Sequence, residues 1–490
     1  MAAETGKGVR VRFAPSPTGG PHVGNIRTAI YDWLLARGSG GAFVIRVEDT
    51  DQGRKIEGAI DELLDALAWL GIEWDEGPDV GGPHEPYVQS ERLDLYHDAI
   101  ASLIEKGAAY RCYCTPERLS EMREQQQRDK RQIGYDRLCK GLSEAERGER
   151  EAAGLPSVVR FAMPSEGVTR LDDIVRGEVS FENGLVDDFV MLKGDGFPTY
   201  HLANVVDDHM MEITHVLRAE EWLPSAPRHL QVYASLGWTP PTFAHLPVIL
   251  APDRSKLSKR HGATSIMEYR EQGYIAQALV NFLTLLGWSL DDKTEIMSSS
   301  ELTKNFSLER VSRSGALFDA EKLAWMNGHY IREMSDEDLA DALLKYWGRY
   351  PVDGIPGSPD RAVVVKIAPL VKERLKTLAD AAPLVRFFFA DQVRYEVEDL
   401  VQKRMDVPGT KVALGRALVV LQDLPAFDTE SIETSLRALA EDLGIKVGQL
   451  LGSIRIATTG LKVAPPLFET LEILGSERCL KAIGTAAEQL

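Results

Sequence analysis

The sequence predicts an α/β protein: a doubly wound, largely parallel sheet in its first half and an all-helical region towards its C-terminus. Three observations predict it. Apolar residues near the N-terminus switch between strand and helix periods, the pattern of a βαβ unit. Gly/Pro-rich loops stand where strand passes to helix. From residue 336 onward the periodic segments have a helical period.

In chain order, residues 9–14 alternate like a strand with one face on a core. Residues 15–21, Pro-Ser-Pro-Thr-Gly-Gly-Pro, can neither continue a strand nor begin a helix, so they form a loop. Ile26, Ile30, Trp33 and Leu34 then recur at helical spacing, with Gly38 as the expected stop. Residues 42–47 read as the next strand and close the unit. Ile60, Leu63, Leu64, Leu67 and Leu70 form a second helical stripe ended by Gly71. Residues 1–108 are thus the first half of a nucleotide fold. Residues 109–200 interrupt it with cysteines, a polar helical segment over 117–151 and short strand-like runs such as 157–161. Residues 201–262 resume it, with a turn at Trp238-Thr-Pro-Pro241 and a strand over 243–250. Residues 263–335 read as helical. In 336–490, helical patterns over 336–347, 361–378, 411–422 and 431–443 surround a Gly/Pro-rich loop at 351–359.

At 490 residues the chain predicts two to four domains. It has no run of apolar residues long enough for a membrane span, and its polar start is no signal peptide, so a cytoplasmic protein is expected. A net charge of −18 argues against nucleic acid unless one face is basic. Residues 128–131, 254–260 and 372–376 are either such faces or simply solvated.

Two clusters carry chemistry. Pro21-His22-Val23-Gly24-Asn25 opens the first helix, where backbone N–H groups favour an anion. Gly19, Gly20 and Gly24 let a nucleotide approach the backbone. Lys256-Leu257-Ser258-Lys259-Arg260 is a dense knot of cations after the strand 243–250. Alone, the first is a weak signal, a lone loop histidine more often packs than catalyses, and the second could be an exposed basic turn. Together they describe a site that meets the phosphates of ATP from two sides.

Arg12-Phe-Ala-Pro-Ser-Pro-Thr-Gly-Gly-Pro-His-Val-Gly-Asn25 resembles the opening signature of the glutamyl-tRNA synthetases, in class I of the aminoacyl-tRNA synthetases, and Lys256-Leu-Ser-Lys-Arg260 resembles the second class I signature. Arg46-Val-Glu-Asp-Thr-Asp51, Glu76-Gly-Pro-Asp-Val-Gly-Gly-Pro83, Pro198-Thr-Tyr-His-Leu-Ala-Asn-Val-Val-Asp-Asp208, Arg218-Ala-Glu-Glu-Trp222 and Trp325-Met-Asn-Gly328 match the same family, and Val447-Gly-Gln-Leu450 does so more weakly. Asn25 stands where the general signature often has a second His. Leu257 and Arg260 replace a Met and a Ser.

The resemblance implies a Rossmann-type catalytic domain carrying an α+β insertion (109–200) that grips the tRNA acceptor end. A stem-contact region (263–335) and an all-helical anticodon-binding domain (336–490) follow. It implies that glutamate is activated with ATP and Mg2+ to an adenylate, then transferred to the 2′-hydroxyl of the terminal adenosine of tRNA-Glu, releasing AMP and diphosphate. The implied catalytic residues are His22, Lys256 and Lys259, with Gly19, Gly24, Asn25 and Ser258 also on ATP. Donors and cations that meet charge only in the transition state are each worth roughly 3 kcal/mol, on the order of a hundredfold in rate. Arg12 and Arg218 match the positions that meet the carboxylates of glutamate, Glu48 the one that receives its ammonium, and Ser16, Tyr200 and Asn204 neighbouring contacts. Read without the family, Arg12 and Glu48 could be a structural ion pair. A desolvated arginine would reject glutamine by roughly 10⁴. Arg374 aligns with an anticodon-reading arginine or simply faces solvent. The family default is a monomer whose activation step waits for tRNA.

Cys112, Cys114 and Cys139 are either reduced, half-buried thiols or part of a structural zinc site. Some relatives carry Cys-x-Cys followed by Tyr-x3-Cys, which Tyr135-Asp-Arg-Leu-Cys139 fits, so Tyr135 is the implied fourth ligand. The competing functions are an enzyme that glutamylates a tRNA base, a glutaminyl enzyme, a small-molecule nucleotidyltransferase and an inactive RNA-binding paralogue. The long helical tail opposes the first three, and the intact signatures oppose the last.

Overall fold

The computed structural model describes residues 8–262 and 264–490, Lys259 through its backbone only. It divides into two units. One holds the chain up to Glu268 together with Leu279–Asp319; the other holds Tyr269–Ala278 and Ala320–Leu490.

The first unit is built on parallel strands. β1 (Arg10–Phe13) passes through α1 (Val23–Ser39) to β2 (Ala42–Ile45), which pairs with it in parallel, Arg12 beside Val44. Val23, Ile26, Ala29, Ile30 and Leu34 form the buried face of α1. The helix outruns the expected stop at Gly38. Gly40, at φ +64°, is the left-handed cap, its N–H returning to the carbonyls of Ala36 and Arg37. Gly38 serves packing instead, since a Cβ there would lie 2.7 Å from the Thr303 carbonyl oxygen. α2 (Ala59–Trp69) buries Leu63 and Leu67, and Gly71 follows at φ +74°. α3 (Leu93–Glu105) completes this half.

Residues 109–200 contribute to two sheets. β3 (Ala109–Cys112) pairs antiparallel with β4 (Val158–Phe161), and β4 with β7 (Val190–Leu192). The hairpin of β5 (Val168–Asp173) and β6 (Gly177–Glu182) lies between β4 and β7 in the chain, yet joins the parallel sheet through Asp173 beside Phe243. The polar stretch 117–151 forms α4 (Pro116–Arg128) and α5 (Glu144–Ala152), with the loop carrying Tyr135 and Cys139 between them. α6 (Tyr200–Met210) leads to β8 (His215–Ala219), and α7 (Ala226–Leu236) to β9 (Thr242–Leu246), parallel to β8. The Thr214 amide donates to the Arg10 carbonyl at 2.9 Å, which sets β8 beside β1. The strand expected over 243–250 breaks at Pro247 and resumes as β10 (Ile249–Leu250), paired with β11 (Ala316–Leu317). Among the remaining helices are α8 (Ile266–Glu271), α9 (Ala276–Leu285) and α10 (Ser299–Asn305).

Beyond Asp319 the second unit is helical: α11 (Ala320–Glu333), α12 (Asp336–Arg349), α13 (Arg361–Val371), α14 (Ala381–Val385), α15 (Val407–Gln422), α16 (Thr429–Asp442), α17 (Val447–Thr459), α18 (Leu467–Leu474) and α19 (Ser476–Gln489). One core gathers Leu343, Val364 and Ile367, and another Leu414, Leu436 and Ile454. The helix expected over 361–378 runs through Pro369 and stops at Val371, where a tighter turn over Lys372–Arg374 takes over. Arg374 falls in the short turn that follows. No helix among the described residues is long and apolar enough to cross a membrane.

Candidate active site

A cavity of about 1050 Å³ opens where β1, β2, β8 and β9 end. In doubly wound sheets ligands bind at the carboxyl ends of the strands. Its walls include Arg12, Ser16, Gly19, His22, Gly24, Asn25, Glu48, Tyr200, Asn204, Arg218, Lys256 and Ser258. The two cation-bearing and glycine-bearing signatures, far apart in sequence, therefore face one space.

His22 caps α1: its Nδ1 accepts from the Gly24 amide at 3.1 Å, which leaves the ring proton on Nε2. The far end of the lysine loop is stitched to this turn. The Val23 amide donates to the Thr264 carbonyl and the Ile266 amide to the Pro21 carbonyl, each at 2.9 Å. The Asn25 Oδ1 is buried without a partner. Lys256 reaches Glu221 at 2.5 Å, an exposed contact on the cavity rim. The Ser258 amide donates to Nδ1 of His261 at 3.2 Å. The side chain of Lys259 lies outside the described residues.

Across the cavity the ionisable groups are buried and interlocked. Arg12 donates to Asp208 through Nε at 2.9 Å and Nη2 at 3.4 Å. Arg46 donates to the same carboxylate at 2.8 Å and to Glu48 at 3.0 Å. Arg12 and Glu48 thus have separate partners rather than each other. Burial alone would raise Asp208, but the two guanidinia hold it below the usual carboxylate range. Burial raises Glu48, partly offset by Arg46. The Asn204 amide can donate to Glu48 at 3.3 Å. Turned over, it donates to Asp208 at 3.3 Å and accepts from Arg46 at 3.2 Å, and this orientation satisfies both of its ends. The Ser16 hydroxyl donates to the Glu48 carbonyl at 2.9 Å.

Arg218 sits at the end of β8 and is 5% exposed. Its Nε donates to His245, and its Nη1 contacts both the Tyr200 hydroxyl and His229, while Nη2 is buried with no partner. Tyr200 leans on Trp222 with ring centres 4.5 Å apart. A buried guanidinium nitrogen with no acceptor is uncommon, and the residue that carries it lines the cavity.

Away from this cavity, the sulfurs of Cys112, Cys114 and Cys139 lie within 4.8 Å of one another. The Tyr135 hydroxyl is 3.3 Å from Cys112 and 3.4 Å from Cys114. Burial pushes the Cys114 thiol up to about 11 and the Tyr135 phenol further. Three thiols and a phenol converging on one point fit a tetrahedral zinc ion. In the second unit Arg374 is exposed, its Nη1 donating to the Ala464 carbonyl at 2.7 Å.

Sequence reasoning missed Asp208, Arg46, Asp173, His229 and His245 as members of the site. His245 had a signal, since a histidine in the apolar run 243–250 needs a buried partner.

Residues 8–325 match the model of the class I tRNA synthetase (E and Q) catalytic domain, and residues 338–487 an anticodon binding domain. The chain belongs to the class I tRNA synthetases of the E and Q type. It is 52% identical over 482 residues to a glutamate–tRNA ligase of Dehalococcoides mccartyi, covering 98% of each chain. It is 46% identical to one of Moorella thermoacetica, again over 98% of each. The crystal structure of a glutamate–tRNA ligase from Elizabethkingia meningosepticum, in complex with its amino acid, superimposes with a TM-score of 0.88 at 36% identity, covering 99% of this chain and 100% of that one. The synthetase is thus a class I catalytic unit joined to a helical anticodon-binding domain, as the motifs predicted.

Proposed function

We propose that this synthetase is a glutamate–tRNA ligase that makes glutamyl-adenylate from glutamate and MgATP and passes the acyl group to the terminal adenosine of tRNA-Glu. The observation that carries the choice of amino acid is Arg218, whose buried Nη2 awaits an acceptor in the cavity that also holds His22 and Lys256. A carboxylate satisfies both that nitrogen and its charge; a carboxamide oxygen can accept from the nitrogen but leaves the buried charge uncompensated.

In the first step an α-carboxylate oxygen of glutamate attacks the α-phosphorus, and the bond to diphosphate breaks. Nε2–H of His22 donates to the oxygens on which charge accumulates. Lys256 leaves Glu221 for the β- and γ-phosphates, and Lys259 joins it. Gly19, Gly24, Asn25 and Ser258 line the nucleotide's path. Arg12 meets one carboxylate of glutamate and Arg218 the other, while Glu48, held by Arg46, receives the ammonium with Ser16, Tyr200 and Asn204 beside it. In the second step a ribose hydroxyl attacks the acyl carbon and AMP leaves. Residues 109–200 take the acceptor end, 263–335 the stem and 336–490 the anticodon, with Arg374 on its reading face. Cys112, Cys114, Tyr135 and Cys139 would hold zinc, which would brace the fold of the insertion. The working form is a cytoplasmic monomer.

The test is glutamate-dependent ATP–diphosphate exchange, with and without tRNA-Glu. Exchange that needs glutamate and tRNA-Glu supports the proposal. Exchange with glutamine in preference to glutamate, or none under any condition, overturns it.

A further inference from the structure

An arginine can only donate hydrogen bonds, so its contacts fix the protons of the histidines around it. The Nε of Arg218 donates to Nε2 of His245 at 3.0 Å. That nitrogen is therefore bare and the proton lies on Nδ1, which donates to Oδ2 of Asp173 at 2.6 Å. Asp173 is itself clamped by the amides of Val175 at 3.0 Å and Arg176 at 2.8 Å. On the other side Nη1 of Arg218 is 3.2 Å from Nδ1 of His229, whose Nε2 then donates to Nδ1 of His201 at 3.1 Å. The guanidinium carbon lies 5.2 Å above the Phe243 ring. Arg218, Asp173, His229 and His245 are all buried.

The contrast is with Arg12, which spends Nε and Nη2 directly on a carboxylate. Around Arg218, imidazoles and a phenol do the gripping, and the carboxylate of Asp173 stands one ring away.

We propose that His245 and Asp173 are positioning residues that set acid-over-amide selectivity. They lock the plane of Arg218 without pairing off its charge at the cavity face, so the charge is left for the substrate's side-chain carboxylate. This rests on the reading of the synthetase as a glutamate ligase. Direct ion pairing would hold the guanidinium equally well but would neutralise it and occupy its donors. Inserting a neutral ring separates the two tasks.

The test compares His245→Leu, His245→Gln and Asp173→Asn with the wild type in tRNA charging, measuring kcat and KM for glutamate, glutamine and ATP, with a thermal melt of each variant. Leucine removes the acceptor, glutamine keeps one, and asparagine weakens the hold on the ring proton. His245→Leu is expected to raise the glutamate KM by roughly 10- to 100-fold, the scale of a misplaced positioning contact, and to narrow the glutamate/glutamine ratio alike. The ATP KM stays within about twofold, and His245→Gln recovers much of the ratio. Should His245→Leu fail to fold, His245→Gln and Asp173→Asn carry the test, each with a smaller shift in the same direction. Folded variants with wild-type glutamate KM and selectivity overturn the proposal, as does a loss that falls equally on ATP and glutamate. If the wild type itself does not prefer glutamate, it is the functional reading that fails.

Discussion

His22 has two tasks that can be separated. One nitrogen caps α1, and the proposed reaction assigns the other to the phosphate oxygens on which charge accumulates. His22→Ala removes both. The lost cap, a 3.1 Å bond to the Gly24 amide, costs about 1 kcal/mol of stability, or roughly 2–4 °C in the thermal midpoint. The lost donor costs about 3–4 kcal/mol in the transition state, or roughly 10²–10³ in kcat, with little change in KM. His22→Asn restores the cap, since asparagine is a strong capping residue, but its amide is shorter than the ring and cannot reach across it. Expected, then, are an alanine variant that is both slower and slightly less stable, and an asparagine variant that is equally slow but as stable as the wild type. Saturating ATP–diphosphate exchange and a melt followed by circular dichroism measure the two. An asparagine variant at full rate would refute the assignment, as would an alanine variant slowed less than about threefold.

Four further outcomes are expected. Arg218→Gln should cost roughly 10²–10³ in kcat/KM for glutamate and erase most of its advantage over glutamine, read in competitive charging assays. Lys256→Ala should slow exchange by about a hundredfold, yet leave the melt unchanged, because an ion pair between side chains 60% and 50% exposed stabilises by at most about 1 kcal/mol. Chelator-washed protein should retain close to one zinc per chain by elemental analysis, and Cys139→Ser should abolish it; protein lacking zinc with all three thiols intact would refute the site. Burial, reinforced by Arg228 and Arg218, pushes His201 down to about 4 from 6.5. The unfolded chain then binds more protons between those values, so stability falls as pH drops from about 6.5 towards 4, by up to roughly 3 kcal/mol. His201→Gln should flatten the urea midpoint between pH 6.5 and 5.5, and parallel curves for variant and wild type would count against it.

Much of the site was legible because short-range chemistry writes itself into short motifs. A Gly/Pro loop before a helix, a histidine at its cap and a knot of lysines each declare themselves within a few residues. Arg12, Glu48 and Arg218 were also found, with Tyr200, Asn204 and Ser16 beside them, but not Asp208, Arg46, His229 and His245, which hold them from behind. Asp208 holds Arg12 across 196 positions of chain, and Asp173 holds His245 across 72. No local pattern encodes such pairings. The same limit explains the hairpin of β5 and β6, whose membership of the parallel sheet rests on Asp173 beside Phe243, 70 positions on. It also explains Gly38, which looks like a helix stop but makes room for a carbonyl on another segment. The helix expected from 411 begins earlier, at Val407, where the Asp406 side chain caps it and Pro408 sits in its first turn.

The backbone bonds that tie Thr264 and Ile266 to the turn around His22 ask nothing of side-chain identity. On its near side the lysine loop is held as firmly, by the Leu257 amide on the Ile249 carbonyl at 2.9 Å and the Phe318 amide on the Leu250 carbonyl at 2.8 Å. A single cut by a protease near Arg254 would therefore leave both new ends anchored in the same unit. The two fragments would travel as one particle through a sizing column and separate only in denaturant. Such a severed enzyme would keep its amino-acid pocket, and Lys256 would stay beside it through the Leu257 bond to Ile249.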